Sequence, residues 1–330
     1  MIKKIQVISL LMLCFMLCSC APKKAEKQIF AMDTVMNLTV YSDNADEILS
    51  QAAERIFELN RLLDRKSPSS EIYQLNKSSG GKTSPYLKNL IEKSISLSAA
   101  ADGCFDITVA PLMDLWGFYD GSFHVPSEAE IKTALHSVGS DRIALNGNNT
   151  ALNGTQLDLG AIAKGAASDE IINHFKENGV RSALISLGGN VYAMGRKPNG
   201  DNWHIAIADP LNPENTAGLL TVENKAVITS GIYQRNFTEN GVLYHHIIDP
   251  KTGRNPENDL ASVTVIGESG TDCDALSTAF FVMGIDNAKK YLRSHAGIDA
   301  VFIDRSGNIS ITPGLDGSFE TEHEYSVIED

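Results

Sequence analysis

The chain has 330 residues, 43% of them hydrophobic and 21% charged, which supports a packed core in one large domain or two small ones and excludes a disordered or low-complexity protein. Its 28 basic and 41 acidic residues leave a net charge of −13. That balance argues against non-specific binding to nucleic acid, which needs lysine and arginine to neutralise phosphates, but leaves open an anionic ligand met through a metal ion.

The first twenty residues read as an export address. Lys3 and Lys4 form a positive start, and the apolar run from Ile5 to Leu17 is broken only by Gln6 and Ser9. That run is short for a membrane span, and polar sequence follows at once. Leu17-Cys18-Ser19-Cys20 resembles a bacterial lipobox, with an ordinary secretory signal ending near Ala21 as the alternative. The expected organisation is a signal peptide over 1–19, a lipid on Cys20, a lysine-rich tether over 20–28 and one compact unit over 29–330. The chain is then anchored to the outer face of the bacterial cytoplasmic membrane, not inserted through it. Loss of Lys3 and Lys4 takes the net charge from −13 to −15. Beyond Cys20 only Cys104 and Cys273 remain. They allow one bridge, and with no CxxC or Cys/His spacing a structural zinc site is not expected.

Phe30–Tyr41 alternates as a strand. Ala45–Arg65 carries Ile48, Ala52, Ile56, Leu59 and Leu63 at helical spacing. Ser84-Pro85 opens a helix towards Ala101, and Ser127 with Glu130 forms a capping box. Thr155–Leu159 is strand-like and runs through Gly160 into a helix reaching about Asn178. Strands are expected at 183–194, 204–208, 219–222, 243–248 and 261–266. Helices follow over 272–283 and 287–295, and a hairpin closes 300–311 around Ser306-Gly307-Asn308. This mixture predicts an α+β (mixed α/β) fold in a single compact domain, not a regular doubly wound sheet. Repeats and low-complexity linkers are absent.

Three segments concentrate polar chemistry. LDLGAIAKG, from Leu157 to Gly165, places Asp158 at a strand end and backbone amides at a helix start, where phosphate is favoured, with Lys164 as a point charge. It lacks the spacing and ending of a Walker A loop. TDCDALSTAFFVMG, from Thr271, puts Asp274, Ser277 and Thr278 at i, i+3 and i+4 on one helical face. Oxygens converging there suit a magnesium ion beside a pyrophosphate, whereas Asp272 reads better as a helix cap. YHHIIDPKTG, from Tyr244, is read as a strand that sends His245 and His246 to opposite faces, so that one of them enters a site as a base or phosphate contact. Ser230, Tyr233 and Arg235 in TSGIYQRNF are site or surface groups alike. Gly188-Gly189 allows positive φ or close backbone approach, and the absent GxGxxG spacing weighs against a Rossmann site.

Together with AMDTVM from Ala31 and GCFDITVAPLMDLWGF from Gly103, these segments closely resemble the FAD:protein FMN transferases of the ApbE family, in family order from about Ala31 to Gly284. One departure is Asp33, which stands where many members carry glycine. The resemblance implies FAD cleaved at its pyrophosphate with magnesium, the FMN half passing to a threonine or serine of an acceptor subunit of a redox complex, and AMP leaving. It further implies flavin contacts at Met32, Cys104, Phe105, Asp106, Asp158, Lys164 and Ile248. Ala161 (through its carbonyl), Asp274 and Thr278 match metal ligands, with Ser277 assisting, and His246 is the catalytic candidate. FAD hydrolysis to FMN and AMP, or flavin binding without turnover, are the alternatives.

Overall fold

The computed structural model describes residues 22–328, and its frame is one nine-stranded sheet. A hairpin of β1 (Lys24–Ala31) and β2 (Thr34–Tyr41) leads into helices α1 (Ala45–Leu63) and α2 (Glu71–Ser78). Strand β3 (Gly80–Lys82), helices α3 (Pro85–Ala100), α4 (Ala110–Leu115) and α5 (Glu128–Leu135), and strands β4 (Ile143–Asn146) and β5 (Asn149–Leu152) follow. After α6 (Ala163–Glu177) come β6 (Ser182–Leu187), β7 (Asn190–Gly195), β8 (Trp203–Ala208), β9 (Thr216–Val222), β10 (Lys225–Gly231), β11 (Asn236–Glu239), β12 (Val242–His245) and β13 (Leu260–Gly267). The long helix α7 (Gly270–Ser294) precedes β14 (Asp299–Asp304), β15 (Ile309–Ile311), β16 (Phe319–Glu320) and β17 (Tyr325–Val327).

The large sheet runs β1-β2-β6-β7-β10-β13-β14-β15-β17, and three small sheets, β11-β12, β16-β9-β8 and β3-β5-β4, surround it. Its central strands bury both faces. In β10, Ala226 and Ile228 join the main core under α1, α6 and α7, while Val227 joins a second core shared with β8 and β9. Period-two alternation therefore serves two cores at once, which is why β13 (LASVTVIG) is buried along its whole length. A third cluster, around Trp116, Phe118 and Ile131, sits under α4 and α5. The mixed architecture thus matches the sequence expectation. Helix starts at Ser84 and Ser127 also match: Ser84 accepts from Leu87 N–H, and Ser127 with Glu130 forms the full reciprocal box. The two helices expected over 272–283 and 287–295 are present as the two segments of α7, which meet at the non-helical Gly284 (φ 74°, ψ 166°). There the Asn258 side chain donates to the Phe281 carbonyl at 2.8 Å.

Several expected boundaries are corrected. The tether expected over 20–28 is already strand from Lys24, paired in register with Tyr41; the signal peptide and Cys20 lie outside the described residues. The strand expected over 30–41 is a hairpin turning at Met32 and Asp33, both left-handed (φ 49° and 58°), so Asp33 occupies a conformation that glycine adopts without strain. Likewise 183–194 is the β6/β7 hairpin, turning at Gly188 and Gly189 (φ 61° and 92°). Thr155–Leu159 joins no sheet. The Asn76 side chain takes both main-chain groups of Leu157, at 2.7 and 2.9 Å, and Asp158 N–H donates to the Ile107 carbonyl. With its hydrogen bonds met this way, the extended segment needs no strand partner. Cys104 and Cys273 are both free and buried.

Helices α6 and α7 cross at a contact only glycine allows. A Cβ on Gly165 would stand 2.2 Å from the Gly270 carbonyl oxygen and 2.6 Å from Asp274 Cβ. Gly165→Ala is therefore expected to cost about 1–3 kcal/mol through overpacking, read as a lowered urea midpoint at unchanged slope. A wild-type midpoint would mean that the crossing is looser than described.

Candidate functional site

The crossing of α6 and α7 gathers oxygen donors. Ser269 caps α7, accepting from Asp272 N–H at 3.1 Å. Asp169 of α6 accepts from the N–H groups of Gly270 and Thr271 and from the Ser269 and Thr271 hydroxyls, over 2.6–3.1 Å. The capping role expected of Asp272 thus belongs to Ser269 and Asp169, and Asp272 instead pairs with Lys93 at 2.6 Å. One turn further on, Asp274, only 5% exposed, accepts Gly165 N–H at 2.8 Å through Oδ2. In a continuing helix that N–H would serve the carbonyl four residues back, which is Ala161. Its diversion to Asp274 leaves the Ala161 carbonyl without a hydrogen bond among the described residues.

The sheet supplies the next donors. Ser230, the penultimate residue of β10, lies 2.8 Å from the Ser277 hydroxyl and 3.2 Å from that of Thr278. Ser277 is fully buried and donates to the Asp274 carbonyl at 2.8 Å, so it anchors Ser230 and Asp274, whereas Thr278 is half-buried. A carboxylate, hydroxyls and a freed carbonyl are all hard oxygen donors and fit magnesium. Among the described residues no cluster of three His, Cys, Asp or Glu side chains occurs, so such a cation keeps waters or phosphate oxygens as further ligands.

A second group forms around Asp158. Its Oδ1 accepts Gly160 N–H at 2.8 Å and its Oδ2 accepts Arg65 Nη1 at 2.7 Å, while Arg65 Nη2 reaches Asp114 at 2.5 Å. The guanidinium also lies over the Tyr119 ring, 4.1 Å from its centroid. Burial holds the Asp114 carboxyl above its usual range despite that partner.

His246 stands beyond the end of β12, in the bend that follows His245. The expected strand over 243–248 stops at His245, so the two imidazoles are separated by a chain bend and not by strand alternation. Asn255 causes the bend by accepting His245 N–H and donating to the carbonyls of His245 and Ile247, at 3.1, 2.6 and 2.8 Å. His246 Nδ1 lies 3.3 Å from the Arg235 carbonyl. A proton on Nδ1 meets that acceptor and leaves the Nε2 lone pair free. Desolvation, then the charges of Arg235 and Lys164, push the His246 pKa down to about 4, against a weaker opposing effect of Asp158, so the ring is neutral at pH 7. Beside it opens a cavity of about 470 Å³ bounded by Lys66, Phe118, Tyr119, Asp120, Phe123 and Arg235.

The remaining expected residues divide. Lys164 is half-buried beside this group. Met32 is held at the hairpin turn by its N–H donating to Asn60 at 2.7 Å. Phe105 is core, not an exposed platform for a ring. The Asp106 carboxylate is spent inside the fold, accepting from Thr108 N–H, the Thr108 hydroxyl and Ser140 N–H over 2.6–2.9 Å. Cys104 and Ile248 are also buried. Arg65, Asp169 and Asn255 carried no motif. Arg65 stands at the end of the predicted helix 45–65, and only folding brings it to Asp158.

Residues 32–302 match the model of the ApbE family. The chain is 32% identical over 295 residues to a protein of Klebsiella pneumoniae named FAD:protein FMN transferase, covering 85% of this chain and 89% of that one. A Treponema pallidum protein of the same name is 32% identical over 308 residues, with 86% and 85% covered. The crystal structure of the ApbE protein of Thermotoga maritima superposes with a TM-score of 0.84 at 29% identity, over 92% of this chain and all of that one.

His245 makes a separate prediction. It is fully buried, its Nε2 has no hydrogen-bond partner, and its ring meets Phe281 edge-on at 5.4 Å. Burial above all pushes its pKa down to about 3. A histidine held neutral in the fold contributes stability that is present above its unfolded pKa near 6.5 and is lost as pH falls towards the folded value. Between pH 7 and pH 5, the H245L variant is expected to lose about 2 kcal/mol less than the wild type, measured by urea unfolding at both pH values. Equal losses would assign the acid sensitivity elsewhere.

Proposed function

Because the chain belongs to the ApbE family, we propose that it transfers the FMN half of FAD to a threonine or serine hydroxyl of a partner protein, releasing AMP, with magnesium held at Asp274. The observation that carries this reading is the placement of the His246 imidazole beside two cations, Lys164 and Arg235, that form no ion pair among the described residues. A negatively charged dinucleotide needs such uncommitted positive charge in a chain of net charge −13.

In this mechanism the acceptor oxygen forms a bond to the phosphorus of the FMN half. The bond from that phosphorus to the bridging oxygen of the pyrophosphate breaks, and AMP departs with the electron pair. His246 Nε2 takes the hydroxyl proton, while its Nδ1–H stays on the Arg235 carbonyl and fixes the ring. Lys164 and Arg235 offset charge on the phosphoryl oxygens. Magnesium, when bound by Asp274, Thr278 and the Ala161 carbonyl, supplies Lewis-acid stabilisation of the pyrophosphate. The arrival of phosphate charge next to His246 also raises its pKa, so the base strengthens as the site fills. The proposal places the enzyme outside the cell, anchored by lipid on Cys20, with an acceptor subunit of a membrane or extracellular redox complex as partner. The lipobox-like LCSC and the apolar run before it support that location.

The test is incubation with FAD, magnesium and a threonine-bearing acceptor domain, read by flavin fluorescence of the denatured acceptor and by AMP release. Labelled acceptor that disappears with EDTA is expected; AMP without label would favour the hydrolase. His246→Ala is expected to reduce transfer by about 10²–10⁴-fold with FAD affinity nearly unchanged, and full activity would remove the base assignment. Asp274→Ala should abolish the magnesium response. The acid limb of kcat/KM is expected near pH 4, far below the ordinary histidine value, because below it His246 is protonated and accepts no proton. A limb at 6.5 would show that the ring is not desolvated as described.

A further inference from the structure

We propose that Arg65 is a positioning residue, which holds the Asp158 carboxylate in the orientation that accepts a hydrogen bond from an N–H or O–H of the bound dinucleotide. This rests on the reading of the site given above, and concerns a residue which that reading leaves unused. Three contacts fix the guanidinium: Asp158 at 2.7 Å, Asp114 at 2.5 Å and the Tyr119 ring at 4.1 Å. Its side chain is only 12% exposed, so these contacts are little screened. The Tyr119 hydroxyl in turn donates to the Arg65 carbonyl at 3.3 Å, which ties the ring to the main chain beneath it.

The geometry at Asp158 is over-determined. One oxygen is held by Arg65 and the other by Gly160 N–H at 2.8 Å, so the plane of the carboxylate is set from both sides. Each oxygen of a carboxylate keeps a second lone pair, and an ionised carboxylate only accepts. It therefore selects a donor, such as a ring imide, an exocyclic amine or a sugar hydroxyl, and repels phosphate oxygens. Removing Arg65 would leave Asp114 and Asp158 as two like charges facing the space it filled, with one anchor of Asp158 lost. Lysine would not replace it. Two carboxylates gripped by separate nitrogens and a ring stacked on the same plane require the flat fork of a guanidinium.

The experiment measures FAD affinity by titration, and KM and kcat for FAD in the transfer assay, in the intact chain carrying R65A, R65K, D114N, D158N or R65A with D158N. Cooperative thermal unfolding first establishes that each variant is folded, and R65K, which keeps the charge and the stem, serves if R65A is not. R65A is expected to weaken FAD binding and raise KM about 10- to 100-fold with kcat within about 3-fold, the loss of one charged hydrogen-bonding anchor. R65K is expected not to restore it. D114N, which removes one of the three contacts on the guanidinium but leaves the Asp158 contact in place, should weaken FAD binding less than R65A does. The double variant should bind no more weakly than D158N alone, because Arg65 acts only through that carboxylate. Additive losses in the double variant, or a fall in kcat at unchanged KM, would overturn the proposal alone. Wild-type protein that binds no FAD would overturn the reading of the site and the proposal together.

Discussion

The close crossing of α6 and α7 is the constraint on which the rest depends. Two helix N-termini meet where neither residue at the contact has a side chain, Gly165 against Gly270. Each is satisfied by a carboxylate from the other helix: Asp274 takes an amide of α6, and Asp169 takes two of α7. Helix starts carry partial positive charge, so both acids sit where a negative group is stabilised. The same exchange diverts the amide that would otherwise occupy the Ala161 carbonyl. A packing solution and a set of ligand-ready oxygens are thus one arrangement, and the sheet completes it by bringing Ser230 against Ser277 and Thr278.

Charge is managed locally against an acidic whole. Arg65 is committed to two carboxylates, while Lys164 and Arg235 stay close to a histidine that they help keep neutral. The division separates cations that shape the protein from cations left for an anion. Asn255 makes a comparable separation among the histidines: its clasp on the chain at 245–247 holds His245 in the core and His246 at the site. Adjacent residues of the same type therefore have unrelated roles.

Much of this was legible in the sequence wherever chemistry was local. The capping box at Ser127, proline after Ser84, and the i, i+3, i+4 face of Asp274, Ser277 and Thr278 all express short-range rules. What the sequence concealed was long-range. Asn76 reaches Leu157 across 81 positions and so removes a strand that the local pattern favours. Asp106 gains its contact with Ser140, 34 residues away, only on folding. Arg65 meets Asp158 only after 93 residues of intervening chain have folded. Alternation continues across the two-residue turn of β6/β7 and so predicts a single strand there, while the lysine-rich start of β1 has the composition of a tether.

Sheet order also governs when this protein becomes competent. β2 pairs with β6 and β10 with both β7 and β13, so strands made early wait for partners made late. The groups around the crossing come from residues 161, 230, 246, 274 and 278, and the last oxygen donors belong to a helix ending at Ser294. During synthesis the first half of the chain holds Asp158 and Lys164 but neither the histidine nor the buried acid. A chain that stops before Gly270 therefore lacks Asp274, Ser277 and Thr278 together. The helix itself is followed by β14, β15 and β17 of the same sheet, so the frame around those donors closes only with the last strands, in a topology of the non-local kind that assembles slowly.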